Sequence, residues 1–287
     1  MSDNSLTAEE VSQILNITKN TVYEMVKRGE LNAYRIGKRL RFEEKDLLAY
    51  KEKGKQRPAP QPDSPFVICG TDTILDILAR HLEVQNPGAR ILRSYKDSYY
   101  AMIDLYTGNA DAAAAHMWDG DTNTYNTVFA KGLLPGIPVQ TFPLAKRNVG
   151  LYVKAGNPKG ITGWDDFRRS DLIFENRTKG SGIRVLIDER LRLMGIDPAK
   201  VGGYDSLSEN NALAAGVVAG GSADFSIGGE KSARKVKGID FIFLQHEQYD
   251  LIVREADLEK PIVQSLMTII GSEEYKTQVS SLYGYEP

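Results

Sequence analysis

Near its N-terminus the chain reads LTAEEVSQILNITKNTVYEMVKRGEL, in which apolar residues recur every three to four positions, a period that predicts two short helices. Thr7 is placed to cap the first, with Glu10 at capping-box spacing, and Val11, Ile14 and Leu15 give it one apolar face. Asn16-Ile17-Thr18 breaks the pattern. Thr18 can cap a second helix in which Val22, Met25 and Val26 face inward, and Gly29 ends it. The period then changes: Tyr34, Ile36, Leu40 and Phe42 alternate around Gly37-Lys38, predicting a two-stranded hairpin with a basic tip, and Glu43 to Tyr50 follows as a closing helix. GKQRPAPQPDSP has four prolines in twelve residues and no large apolar side chain, so it reads as a semi-extended linker. Past it, β-like runs alternate with helical ones: FVICG then DTILDILARHLEV, ARILRSY then DSYYAMIDLYTG, DAAAAH then NTYNTVFAKGLL. That alternation predicts an α/β fold with βαβ units and a largely parallel sheet.

Charge sharpens this division. The 287 residues carry 36 Lys/Arg and 38 Asp/Glu, a net charge of −2 that by itself argues against a nucleic-acid partner. Residues 1–57, however, hold 12 basic and 9 acidic side chains (+3), leaving −5 for the remainder. Between residues 27 and 41 six bases face one acid, Glu30. A basic segment on an acidic body points to a nucleic-acid contact at one end of the chain. A single cysteine, Cys69, excludes an internal disulfide and a zinc cluster of thiolates. No apolar run reaches the roughly 18 residues of a membrane helix, and MSDNSLTAEEV is no signal segment, so a cytoplasmic location is expected.

Two short helices with a tight turn, the second polar and basic outside, match a helix-turn-helix whose second helix enters the major groove. The pattern LT..EV...L.I....VY..V..GEL.A.RIGK..RF....L..Y resembles the excisionase/MerR-like winged helix-turn-helix over about 50 residues. The resemblance implies base readout from Thr18, Lys19, Asn20, Thr21 and Tyr23, with Lys27 beside them, and phosphate contact from Arg35, Lys38, Arg39 and Arg41 of the wing. So small a unit touches few phosphates, and a homodimer on a repeated DNA site is expected. The alternative is a solvated basic face on a module that binds protein.

In the larger segment, Cys69 lies in an apolar run, where a buried structural thiol is commoner than a nucleophile. His116 ends a strand at the edge where open α/β sheets bind ligands. His116, Asp119 and Asp121 in one loop make a weak metal signal, and neither a metal nor a cofactor is expected. Three strand-to-helix turns suit an anion: Cys69-Gly70-Thr71-Asp72, Tyr95-Lys96-Asp97-Ser98, and Gly180-Ser181-Gly182 flanked by Arg177, Lys179 and Arg184. Residues 65–287 resemble the type II periplasmic-binding-protein fold, in the PBP-like form related to molybdate-binding proteins, through GTD at 70–72, DSYYAMIDLYTGNADAAAAH at 97–116, KRNVGLYV at 146–153, ENRTKGSGIRVLIDERL at 175–191 and ALAAGVVAGGSADFSIG at 212–228. The resemblance implies two α/β lobes (about 65–146 with 247–287, and 147–246) joined by crossovers near 144–150 and 243–249. It places Thr71, Ser98, His116, Arg147, Arg177, Ser181, Gly182, Arg184 and Tyr204 at a cleft.

The expected organisation is thus a winged helix-turn-helix in residues 1–53, a linker at 54–64 and a sensor at 65–287. It describes a transcriptional regulator that binds double-stranded DNA and responds to a small anion such as molybdate or tungstate. A small organic acid is a second effector. Two other functions remain open: an enzyme using His116 with Asp119, and a DNA-architecture factor indifferent to small molecules.

Overall fold

The computed structural model describes residues 5–15, 17–37, 39–55 and 65–287. The chain divides into two compact units, Met1–Ser64 and Pro65–Pro287. The first contains β1 (Ser5–Thr7), α1 (Ala8–Leu15), α2 (Lys19–Lys27), β2 (Tyr34–Ile36), β3 (Arg39–Glu43) and α3 (Glu44–Lys55). The capping box forms as the spacing requires: the Thr7 N–H donates to Glu10 Oε2 at 2.7 Å, and the Glu10 N–H to Thr7 Oγ1 at 3.2 Å. Thr18 caps α2 by accepting from the Thr21 N–H at 3.2 Å, and Gly29 leaves the helix at φ +72°. Ala8, Val11, Val22, Met25, Leu31, Phe42 and Leu47 make the core.

Three details depart from the sequence pattern. Ile14 is 44% exposed, its place on the inner face taken by Ala8 and Ser12. Tyr34 and Ile36 are exposed, because β2 is an edge strand and leaves burial to β3. The wing is three-stranded, in the order β1-β3-β2, since Leu6 of β1 pairs with Phe42. Asn16, Lys38 and most of the proline-rich stretch (56–64) lie outside the described residues.

The second unit contains β4 (Phe66–Cys69), α4 (Ile74–Gln85), β5 (Ile91–Ser94), α5 (Ser98–Thr107), β6 (Ala112–Ala115), β7 (Trp118–Asp119), β8 (Thr124–Tyr125), α6 (Thr127–Leu133), β9 (Val139–Lys154), β10 (Phe174–Arg177), α7 (Gly182–Leu193), β11 (Leu207–Ser208), α8 (Asn211–Ala219), β12 (Phe225–Gly229), α9 (Glu230–Ala233), β13 (Ile239–Arg254), α10 (Pro261–Gly271), α11 (Glu273–Ser280) and β14 (Tyr285–Glu286). It is a two-lobed α/β structure on one sheet of order β11-β10-β12-β9-β13-β6-β4-β5, with β14 added to β9. In the first lobe β5, β4 and β6 run parallel. In the second, β11, β10 and β12 do. The lobes have separate apolar cores, one around Ile68, Leu75, Leu82, Leu251 and Leu266, the other around Leu151, Phe174, Ile187, Leu191 and Phe225.

β9 and β13, each 16 residues long, run antiparallel through both lobes. Their pairing shifts register at Phe243/Gln245 and at Tyr249/Asp250. These two irregularities bracket the stretch where the strands pass from one lobe to the other, and extra residues of this kind bend a ladder locally. A further crossing accompanies them: the β7–β8 hairpin leaves the first lobe and inserts Trp118 into the second lobe's core, with the Arg190 guanidinium 4.2 Å from its ring centroid.

Candidate functional site

A cleft of about 280 Å³ lies between the lobes. Helix starts surround it. Thr71, Asp72 and Thr73 line it ahead of α4, Ser181 and Ile183 at α7, and Asn210, Asn211 and Ala212 at α8. The first N–H groups of a helix have no intrahelical acceptor and carry its positive dipole end, so these turns favour negative charge. Ser181 stands at the N-cap of α7 yet makes no side-chain cap bond, which leaves its hydroxyl uncommitted.

The lobes touch at the cleft. Gly180 (φ +97°) accepts from the Tyr99 N–H at 3.1 Å, across from one lobe to the other. At Gly182 a Cβ would lie 2.5 Å from His116 Nδ1, so only glycine lets the α7 start approach the end of β6.

Arg147 of β9 pairs with Glu247 of β13 in register and with Asp72 of the β4–α4 turn. Its guanidinium lies 4.2 Å from the Tyr249 ring centroid, and its Nε is buried without a partner. Glu247 also meets His116 Nδ1 at 2.8 Å. Because an ionised carboxylate only accepts, that nitrogen carries the hydrogen. Burial is the largest single influence on the Asp72 and Glu247 carboxyls and pushes them up, but Arg147 together with the Ile74 N–H and Tyr285 hydroxyl at Asp72, and with His116 at Glu247, outweighs it, so both are held below their usual values.

Arg177 of β10 differs. It is 4% exposed, and its partners are neutral: Ser208 O from Nε at 3.1 Å, Asn211 Oδ1 from Nη1, and Glu209 O from Nη2 at 3.4 Å. A guanidinium has five N–H donors, so two remain for a ligand. Burial lowers its pKa, opposed by Tyr152 and by Asp97. Asp97 lines the same cleft, and burial raises its carboxyl. Lys231 and Lys235 complete the cationic lining, and Glu230 accepts from Asn148 Nδ2 at 2.9 Å and from Arg234 Nη2 at 2.9 Å.

Thr71, His116, Arg147, Arg177 and Ser181 line the cleft as the sequence predicted, whereas Ser98, Gly182, Arg184 and Tyr204 do not. Ser98 Oγ accepts from the His116 N–H at 3.3 Å, a supporting position. Arg184 turns away to Asp188 and the Arg177 carbonyl, with Tyr204 stacked on it and donating to Asp188 at 2.6 Å. Asp72 and Asp97 belong to turns the sequence singled out, whereas Asn211, Lys231, Glu247 and Tyr285 were not foreseen. Asp119 accepts from Thr122 and is not among the cleft residues, so it is no companion to His116. Cys69 is fully buried and burial raises its thiol pKa, the environment of a structural thiol.

In the first unit, Lys19, Asn20, Tyr23, Lys27, Arg35 and Arg39 are exposed. Thr18 and Thr21 are engaged in the cap, Lys19 pairs with Glu9 at 2.9 Å, and Arg41 donates to the Ser5 carbonyl at 3.3 Å. The exposed face of α2 and its wing therefore carry fewer free groups than the sequence offers.

Residues 79–271 match the model of a PBP superfamily domain, and residues 5–55 that of a helix-turn-helix domain. The chain belongs to the PBP-like family. It is 40% identical to the uncharacterized protein YvgK of Bacillus subtilis, over 98% of this chain and 95% of that one. Among solved structures it resembles a putative phosphate ABC transporter substrate-binding protein with bound phosphate from Clostridium perfringens, at TM-score 0.57 and 14% identity over 76% of this chain and 97% of the other. It also resembles the effector-binding domain of QuiR in complex with shikimate, at TM-score 0.54 and 14% identity over 72% and 95%. At these identities the likeness is one of fold. A helix-turn-helix joined to a PBP-like domain is the architecture of a ligand-responsive DNA-binding regulator. Among the described residues no helix is long and apolar enough to cross a membrane.

Proposed function

We propose that the second unit binds a small anion between its lobes and that this binding sets the DNA affinity of the helix-turn-helix unit. The observation that carries the reading is Arg177, a buried cation with no carboxylate partner among the described residues, beside the uncommitted Ser181 hydroxyl and the starts of α7 and α8. Arg147 offsets one of the two charges of Asp72 and Glu247, His116 Nδ1 donates to Glu247, and Glu230 pairs with Arg234; outside these groups Arg177, Lys231 and Lys235 stand against Asp97 and Glu209. Outside the Arg147 group the lining therefore carries three cations against two carboxylates. At about 280 Å³ the cleft falls just below the roughly 300–1,000 Å³ of sites for drug-sized ligands, so the effector is small. A tetrahedral oxyanion, molybdate or tungstate foremost, fits hydroxyl and backbone donors converging from several helix starts. A small carboxylate is the second reading, favoured by the two unused N–H groups of Arg177, since a guanidinium takes a carboxylate bidentately.

A ligand shifts an equilibrium only by binding one state better than the other. Ligand contacts shared by both lobes supply that difference. A homodimer placing two helix-turn-helix units on a repeated site would turn lobe closure into altered DNA affinity. Calorimetric titration of the full chain with molybdate, tungstate, sulfate, phosphate and small carboxylates tests the effector, and repeating DNA binding with the anion that gives heat tests the coupling. No heat from any anion removes the reading; heat with unchanged DNA affinity removes the regulatory part.

A further inference from the structure

The cleft has one wall made by a segment that none of the helix starts explains. Gly284 and Tyr285 line it, on a strand that follows α11 of the first lobe. β14 pairs with β9 at the crossover, Tyr285 opposite Arg147, and the Asn148 N–H donates to the Gly284 carbonyl at 2.9 Å. The Tyr285 hydroxyl donates to Asp72 Oδ2 at 2.5 Å, the same oxygen that accepts from Arg147. Its ring packs on the first lobe's core.

The other face of the strand meets the second lobe. Lys231 Nζ lies 5.2 Å from the Tyr285 ring centroid, and the Arg234 guanidinium 5.2 Å from that of Tyr283. A Cβ on Gly284 (φ +71°) would lie 3.0 Å from Glu230 Oε2, so the backbone runs tight against α9. Rotation of the second lobe about the crossover must separate these cations from their rings. A hollow of about 390 Å³, lined by Asn148 and residues 280–286, leaves room beside the strand for it to shift.

We propose that β14 is an inter-lobe latch, and that Tyr285 is its positioning residue. The hydroxyl fixes Asp72, and through it Arg147, while the ring gives α9 a contact that opening must break. The inference rests on the ligand-sensing reading for its purpose, since it names how that site is held shut, but its test needs no ligand. Ser181→Cys places a thiol in the cleft, and the buried Cys69 serves as an internal control in the first lobe's interior. In the ligand-free full chain, Tyr285→Leu and, separately, Lys231→Ala, each of which removes the ring–cation contact between the lobes, are expected to speed labelling of the cleft thiol by about tenfold, with Cys69 unchanged. Lys231→Ala carries the test if Tyr285→Leu does not fold. An unchanged cleft rate in the variants that fold overturns the latch, and so does an equal rise at Cys69, which would report general loosening. Titrating wild-type chain with molybdate keeps the two readings apart: faster cleft labelling without molybdate heat upholds the latch and removes molybdate as the effector.

Discussion

Two buried arginines face one cleft, and their partners give them opposite work. Arg147 is held by Asp72 and Glu247, with His116 and Tyr285 completing a network at the crossover strands. Arg177 is held by two carbonyls and an amide oxygen, and keeps donors to spare. A charge with its counter-charges in place organises structure; one held only by dipoles awaits a counter-charge. Counting arginines in a cleft is therefore a poor guide to ligand charge unless each one's carboxylates are subtracted first.

The comparison breaks most visibly at Arg147. Arg147→Met leaves Asp72 and Glu247 buried without their cation, and a loss of about 3–5 kcal/mol in urea unfolding is expected. Arg177→Met removes a desolvated charge with neutral acceptors and is expected to cost clearly less; equal losses would abolish the distinction.

A second, smaller effect separates the two by pH. Asp72 and Glu247 titrate below their unfolded values, so their contribution is present above about pH 4 and is lost as pH falls through the lowered values. Stability of the wild-type chain should fall on that acid limb by up to about 1.4 kcal/mol per pH unit for each proton taken up. Glu247→Gln should flatten the limb, and an unaltered slope would place the linkage elsewhere.

Asp97 offers the gentlest probe. Its carboxylate is the like charge nearest in kind to an incoming anion, so Asp97→Asn is expected to tighten anion binding by a few fold, measured by calorimetry. Weaker binding would mean instead that the effector donates a hydrogen to Asp97.

Much of this was legible where the determinants are local. Thr7 with Glu10 and Thr18 with Thr21 are interactions three residues apart, and the helix start at Ser181 and the turn at Thr71 leading into α4 follow from strand-to-glycine turns. Ile14, Tyr34 and Ile36 misled because periodicity assigns faces but not which face finds a neighbour in a unit this small. Arg147 was legible as a cleft residue but not as a neutralised one, because Glu247 joins it only through the pairing of strands a hundred residues apart. Tyr285 carries no motif; it reaches the site because β14 returns to β9. Arg184 shows the converse, a sequence neighbour of the glycine turn whose helical phase turns it toward Asp188, where Tyr204 joins it from a separate turn.

The most direct test is a calorimetric titration of wild type and Arg177→Gln with molybdate, with phosphate alongside. The account predicts saturable heat from an oxyanion in the wild type and its loss, by about a hundredfold in affinity or more, in Arg177→Gln, as removal of a charge-assisted pair requires. Undiminished binding in Arg177→Gln would contradict it.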